Sequence, residues 1–254
     1  MIDLAWNFPP LSENTPEQWL EQNAEIDRWQ LEQDEITAQH NFMNCGASKK
    51  LLETVGFENY VMLNSIGDVY LAQQVLKNCG LEFLRRIKLD EYVNLVLMGK
   101  PGIGKTFLSL CIVKEVCKLK RYEEVQGYPV EYFEDALYRT SDRLCEEFKY
   151  CDNFKSRFKK YDLVEAYGTC KLLVIDEIGR SNRKDEGNVL FQILDKRYQE
   201  RKPSILLSNY ETKVLSDYLG EALVDRLAES EINIKKETLD LCPSMREAKS
   251  KHLF

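Results

Sequence analysis

Three stretches of the chain are nearly unbroken apolar runs rich in branched side chains: Tyr92–Met98 (YVNLVLM), Lys171–Gly179 (KLLVIDEIG) and Pro203–Ser208 (PSILLS). Such runs, without polar alternation, predict strands covered on both faces. Around them the apolar spacing turns helical. Trp19, Ile26, Trp29 and Ile36 fall on one face of a helix starting at Thr15-Pro16, with Thr15 as cap and Gln18 completing a capping box, and running to His40 or Phe42. Further helices are expected over Asp68–Ile87, over FLSLCIVKEVCKLK after the first strand, over RLCEEFKYC after the Thr140-Ser141-Asp142 cap, over Asn188–Glu200 and near Lys213–Leu219. Val130–Phe133 and Ala136–Tyr138 compete for one more sheet strand, and EINIKK, from Glu231, reads as a short last one. Strands alternating with helices predict an α/β fold with a parallel central sheet flanked by helices, its site at the C-terminal edge of the strands. The pattern divides the chain into a helical segment over 1–45, an irregular linker over 46–67 and the α/β domain over 68–254.

The charge is unevenly placed. Residues 1–40 carry nine acids against the single base Arg28, a net −8, whereas the remainder of the chain sums to +1. All three tryptophans, Trp6, Trp19 and Trp29, lie in that acidic part, which implies two functional parts. No apolar run is long enough to span a membrane, and MIDLAWNFPP lacks the basic end and apolar centre of a signal peptide. Eight cysteines without a C-x-x-C and only two histidines, His40 and His252, give no zinc pattern; reduced thiols and a cytoplasmic location are expected.

The strongest chemical signal follows the first strand. Gly99, Lys100, Pro101, Gly102, Ile103, Gly104, Lys105 and Thr106 fit G-x-x-x-x-G-K-[ST] in full, and Phe107 opens the helix behind them. Strand, glycine loop and helix are the context a phosphate-binding loop requires. Backbone N–H groups close around phosphate oxygens, and the helix N-terminus adds partial positive charge. Lys105 would reach the β- and γ-phosphates and Thr106 would ligate Mg2+. The second strand ends in Asp176 and Glu177. Asp176 would hold the metal through its water shell and Glu177 would polarise the attacking water. ATP and Mg2+ are the expected ligands.

Two further stretches have both a binding and a packing reading. From Phe148 to Tyr161, basic residues, among them Lys155, Arg157 and Lys159, interleave with aromatics, among them Phe158. Single-stranded DNA would meet both charge and stacking surface there; Phe154, Phe158 and Tyr161 also sit at the spacing of one buried helix face. Trp19, Ile26 and Trp29 could pack on the chain's own core or anchor a partner protein.

Taken together, these stretches resemble the DnaC/IstB branch of the AAA+ ATPases, which contains replicative helicase loaders. The phosphate loop and LVIDEIG match its two nucleotide motifs, LLSN its sensor-1 strand, LGEALVDRL its arginine-finger segment and Ser244-Met245-Arg246 its short S-x-R ending. Gly56–Tyr60 is similar to its F-x-x-Y stretch near the adenine. The resemblance implies an AAA+ P-loop NTPase in which Asn209 helps place the attacking water, Arg226 acts as a finger on a neighbouring copy and Arg246 contacts the nucleotide. It also implies a replicative hexameric DNA helicase and single-stranded DNA as partners, with self-association through Arg226. An IstB-like transposition helper on duplex DNA with a transposase, or an adaptor using ATP as a switch, are the alternatives. Val125–Glu134 departs from the branch as an insertion, and the acidic N-terminal part does not suit DNA.

Overall fold

The computed structural model describes residues 16–60, 68–125, 128–133, 135–152, 159–181, 183–210 and 212–232, the side chains of 16–19, 22, 68–72, 121–133 and 212 aside. Helix α1 spans Pro16–Met43, and a turn of helix, α2 (Lys49–Leu52), and a 3-10 turn at Phe57–Asn59 lead to α3 (Asp68–Lys88). Strand β1 (Asn94–Met98), α4 (Lys105–Val116), β2 (Lys120–Val125), β3 (Tyr128–Phe133), β4 (Ala136–Thr140), α5 (Ser141–Cys151) and α6 (Lys160–Thr169) follow. The chain continues through β5 (Leu172–Ile178), α7 (Glu186–Gln199), β6 (Ser204–Ser208), α8 (Thr212–Leu219), α9 (Glu221–Ala228) and β7 (Glu231–Ile232).

Five strands form one parallel sheet in the order β4-β5-β6-β1-β7. Its central strands are apolar along most of their length because each face meets a different core. Leu95, Leu97, Leu172, Val174, Ile205 and Leu207 point to the core built by α3, α4 and the end of α1. Val96, Leu173, Ile175 and Leu206 point to the core built by α5 to α9. Period-two alternation is thus present but hidden, since both sets are buried. A parallel sheet flanked by helices is the α/β architecture expected.

Of the two competing strands, Ala136–Thr140 enters the sheet beside β5, while Tyr128–Phe133 pairs antiparallel with Lys120–Val125 outside it. The stretch read as an insertion therefore forms the greater part of a hairpin. Helix α4 stops at Val116 instead of reaching Lys120, because Lys120 already begins that hairpin.

The segment read as an irregular linker contributes to the body. Leu52, Val55 and Tyr60 are buried in the same core as Phe42 and Cys45. Near its end helix α1 docks on the body through Ala38, Phe42 and an Asp34–Lys120 ion pair at 2.5 Å. The apolar face read on it points elsewhere: Ile26 is 41% exposed, Trp29 39% and Ile36 55%. Trp19 lies in the helix with its side chain outside the described residues. Among the described residues no helix is long and apolar enough to cross a membrane.

Candidate functional site

The phosphate loop turns between the end of β1 and the start of α4. Gly104 sits at φ 98° immediately before Lys105, a backbone region closed to most side chains, and this turn aims the first N–H groups of α4 into the cleft. Lys105 lies inward, only 7% exposed. Its Nζ donates to the carbonyls of Gly99 at 2.7 Å and Lys100 at 3.0 Å, and to Asn209 Oδ1 at 3.0 Å. Burial lowers its pKa to about 8, with the Asp176 charge opposing the shift.

Strand β5 brings Asp176 and Glu177 beside the loop. Thr106 Oγ1 donates to Asp176 Oδ2 at 2.7 Å, and the Tyr138 hydroxyl donates to the same oxygen at 2.7 Å. Asp176 Oδ1 accepts the Glu177 N–H at 2.6 Å. Burial, with the Asp176 charge, drives the Tyr138 hydroxyl pKa upward. Glu177 takes φ +59°, a left-handed conformation that costs a non-glycine residue roughly 1–2 kcal/mol. The register between β5 and β6 shifts here, between Ile175 and Ile178. This irregularity turns successive carboxylates toward one cleft instead of opposite faces of the sheet.

The chain beyond is braced from several sides. Ser208 Oγ donates to the Ile178 carbonyl at 3.0 Å, Tyr210 to the Gly179 carbonyl at 2.8 Å, and the Gly179 N–H to the fully buried Glu186 at 2.8 Å. Glu177 is ion-paired with the exposed Arg180.

These groups line a cleft of about 730 Å³, which suits a nucleotide. Its lining includes Lys105, Thr106, Asp176, Glu177 and Asn209 together with Leu51, Asn59 and Phe107. A hydroxyl and a carboxylate oxygen 2.7 Å apart are a hard-oxygen donor set, fitting Mg2+, which takes most of its shell from water and substrate phosphates.

The profile of the family described as "IstB-like ATP binding protein" matches residues 49–246. The chain belongs to the IstB-like ATP-binding protein family. This IstB-like chain is 30% identical over 134 residues to the replicative helicase loader DnaC of Escherichia coli (strain K12), covering 52% of the chain and 49% of that protein. It is 28% identical over 168 residues to the protein named for ATP binding in insertion sequence IS5376 of Geobacillus stearothermophilus, covering 63% and 60%. The chain thus spans about half the length of the first-named relative. The crystal structure of the DnaC helicase loader superposes with a TM-score of 0.56 at 18% identity, covering 73% of the chain and 97% of that structure. At that identity the likeness is one of fold.

The cleft gathers Lys105, Thr106, Asp176, Glu177 and Asn209. Arg226 stands elsewhere, on α9, paired with Asp195 of α7 and lying 5.6 Å from the Phe191 and Tyr198 rings. Arg246, Lys155, Arg157 and Phe158 lie outside the described residues. Lys159 caps α6, its N–H donating to Asp162 at 2.8 Å. Phe148, at the start of the basic–aromatic stretch, is only 3% exposed and packs in the core, so it offers no stacking surface.

The sequence reading missed Tyr138. Its strand was recognised, but only the pairing of β4 with β5 brings its hydroxyl to Asp176. It also missed Glu186, Ser208 and Tyr210, whose bracing contacts join separate elements.

Proposed function

We propose that this protein is a Mg2+-dependent ATPase of the helicase-loader type that engages a replicative DNA helicase and single-stranded DNA in the cytoplasm. The observation carrying the chemistry is the convergence of Lys105, Thr106, Asp176, Glu177 and Asn209 on one cleft. Lys105 and the loop N–H groups hold the β- and γ-phosphates. Thr106 and Asp176 hold the metal, which supplies charge neutralisation of the phosphates when bound. Glu177 polarises the attacking water and Asn209 helps place it.

Similarity to a replicative helicase loader and the acidic α1, with Ile26, Trp29 and Ile36 outward, support a protein partner at that end. Single-strand contact rests on the basic and aromatic residues between α5 and α6. Arg226 reaches the nucleotide of a neighbouring copy.

The family match and the insertion-sequence relative favour a second reading, a transposition helper acting with a transposase on duplex DNA. Full-length protein offered a hexameric replicative helicase and a transposase should retain the helicase. ATP turnover should accompany this, and Glu177→Gln should bind ATP while losing most turnover. Retention of the transposase alone selects the second reading. Binding without turnover in the wild type selects a switch-type adaptor.

A further inference from the structure

Asp176 is held by more than its own strand. Oδ2 accepts from Thr106 and from Tyr138, each at 2.7 Å, and Oδ1 accepts from the Glu177 backbone. Thr106 and Glu177 belong to the nucleotide motifs. Tyr138 does not: it comes from the neighbouring strand, where its ring packs against the core on the α4 side and its hydroxyl opens onto the cleft. A phenylalanine would fill the same packing space. Among the described residues the hydroxyl has one hydrogen-bond partner, the Asp176 carboxylate.

We propose that Tyr138 is a positioning residue for Mg2+: its hydroxyl fixes the rotation of the Asp176 carboxylate and keeps Oδ2 beside Thr106, the two residues that would hold the metal. The inference rests on the ATP-site reading above. A carboxylate with two donors on Oδ2 and one on Oδ1 has little freedom to turn. Removing Tyr138's donor leaves Oδ2 with Thr106 alone, a residue whose oxygen is also needed by the metal. Hydrogen-bond partners that orient metal-binding side chains commonly contribute tenfold or more to metal affinity.

The test compares wild type and Tyr138→Phe by fluorescent ATP-analogue binding, in EDTA and across a Mg2+ titration. In EDTA the two should bind the analogue within about twofold of each other. The Mg2+ concentration giving half of the metal-dependent gain should rise roughly tenfold in the variant. Tyr138→Met, which also lacks the hydroxyl, should behave alike and serves if Phe does not fold. An unchanged Mg2+ requirement overturns the proposal. Equal weakening with and without Mg2+ also overturns it, and makes Tyr138 a packing or nucleotide contact. A wild type that binds no analogue in either condition overturns the ATP-site reading itself.

Discussion

The backbone N–H of Tyr138 donates to the Cys45 carbonyl at 2.8 Å, so the residue that reaches Asp176 is also tied to the chain just beyond α1. Arg139 tightens the joint by donating from Nη1 to the carbonyls of Cys45 at 2.9 Å and Tyr138 at 2.8 Å. Gly46 lies at φ +112° against this joint, and a Cβ there would stand 2.0 Å from Arg139 Nη1 and 2.5 Å from the Tyr138 carbonyl.

Gly46→Ala should therefore destabilise the protein by about 1–3 kcal/mol, lowering the melting temperature by about 5 °C. Gly220→Ala is the control: φ is +82°, but among the described residues nothing stands within 4 Å of its Cβ, so conformational strain is the cost that applies. Thermal melts should rank Gly46→Ala as the more damaging; equal losses would mean that the close approach to Arg139 and Tyr138 carries no weight.

Nucleotide affinity should depend on pH through Lys105. Its pKa in the free site is about 8, because burial disfavours the charged form. Bound phosphates favour that form, so binding takes up a proton above pH 8. Affinity should be flat from pH 7 to 8 and fall above that, by up to about tenfold per pH unit. Without nucleotide the sign for stability is opposite. The unfolded lysine titrates higher, so the unfolded state holds more protons between the two pKa values and stability rises with pH there. Calorimetry at pH 7, 8 and 9 checks the affinity; constant affinity to pH 9 removes the role assigned to Lys105's charge.

Arg226→Ala should bind ATP as the wild type does and hydrolyse it about 10³-fold more slowly, the scale of a finger supplied by a neighbour. Mixing it with Lys105→Ala, which keeps the finger but not the phosphate contact, should restore part of the turnover. Asp195 holds Arg226 within its own chain, so Asp195→Asn should ease its release and raise turnover at low protein concentration. No restoration at any mixing ratio would leave Arg226 a structural partner of Asp195, Phe191 and Tyr198.

Trp19→Ala with Trp29→Ala should abolish helicase capture while leaving ATP turnover unchanged. Two aromatic anchors at about 2 kcal/mol each correspond to roughly a thousandfold in affinity. The melting temperature should hardly move, since Trp29 is already 39% exposed. A large drop in melting temperature with capture intact would return this face to the protein's own core.

The nucleotide motifs were legible in the sequence because their geometry is local. Gly99 to Thr106 are consecutive, and the strand before and helix after them announce themselves by their own spacing. The parallel sheet was legible for a related reason: β1, β5 and β6 are apolar on both faces, which only burial between two helical layers accommodates. Pairing across the sheet is not local. Ala136–Thr140 and Tyr128–Phe133 look alike as strands, and only the packing beside β5 put the first into the sheet and the second into a hairpin. The same packing sent Phe148 inward from a stretch whose pattern also fitted a nucleic-acid surface. It left Ile26, Trp29 and Ile36 on the exposed side of α1, while Asp34, Ala38 and Phe42 meet the body. Arg226 meets Asp195 and Tyr138 meets Asp176 across 31 and 38 residues of chain. Periodicity says which face of an element is apolar; the tertiary structure alone decides which polar group arrives opposite it.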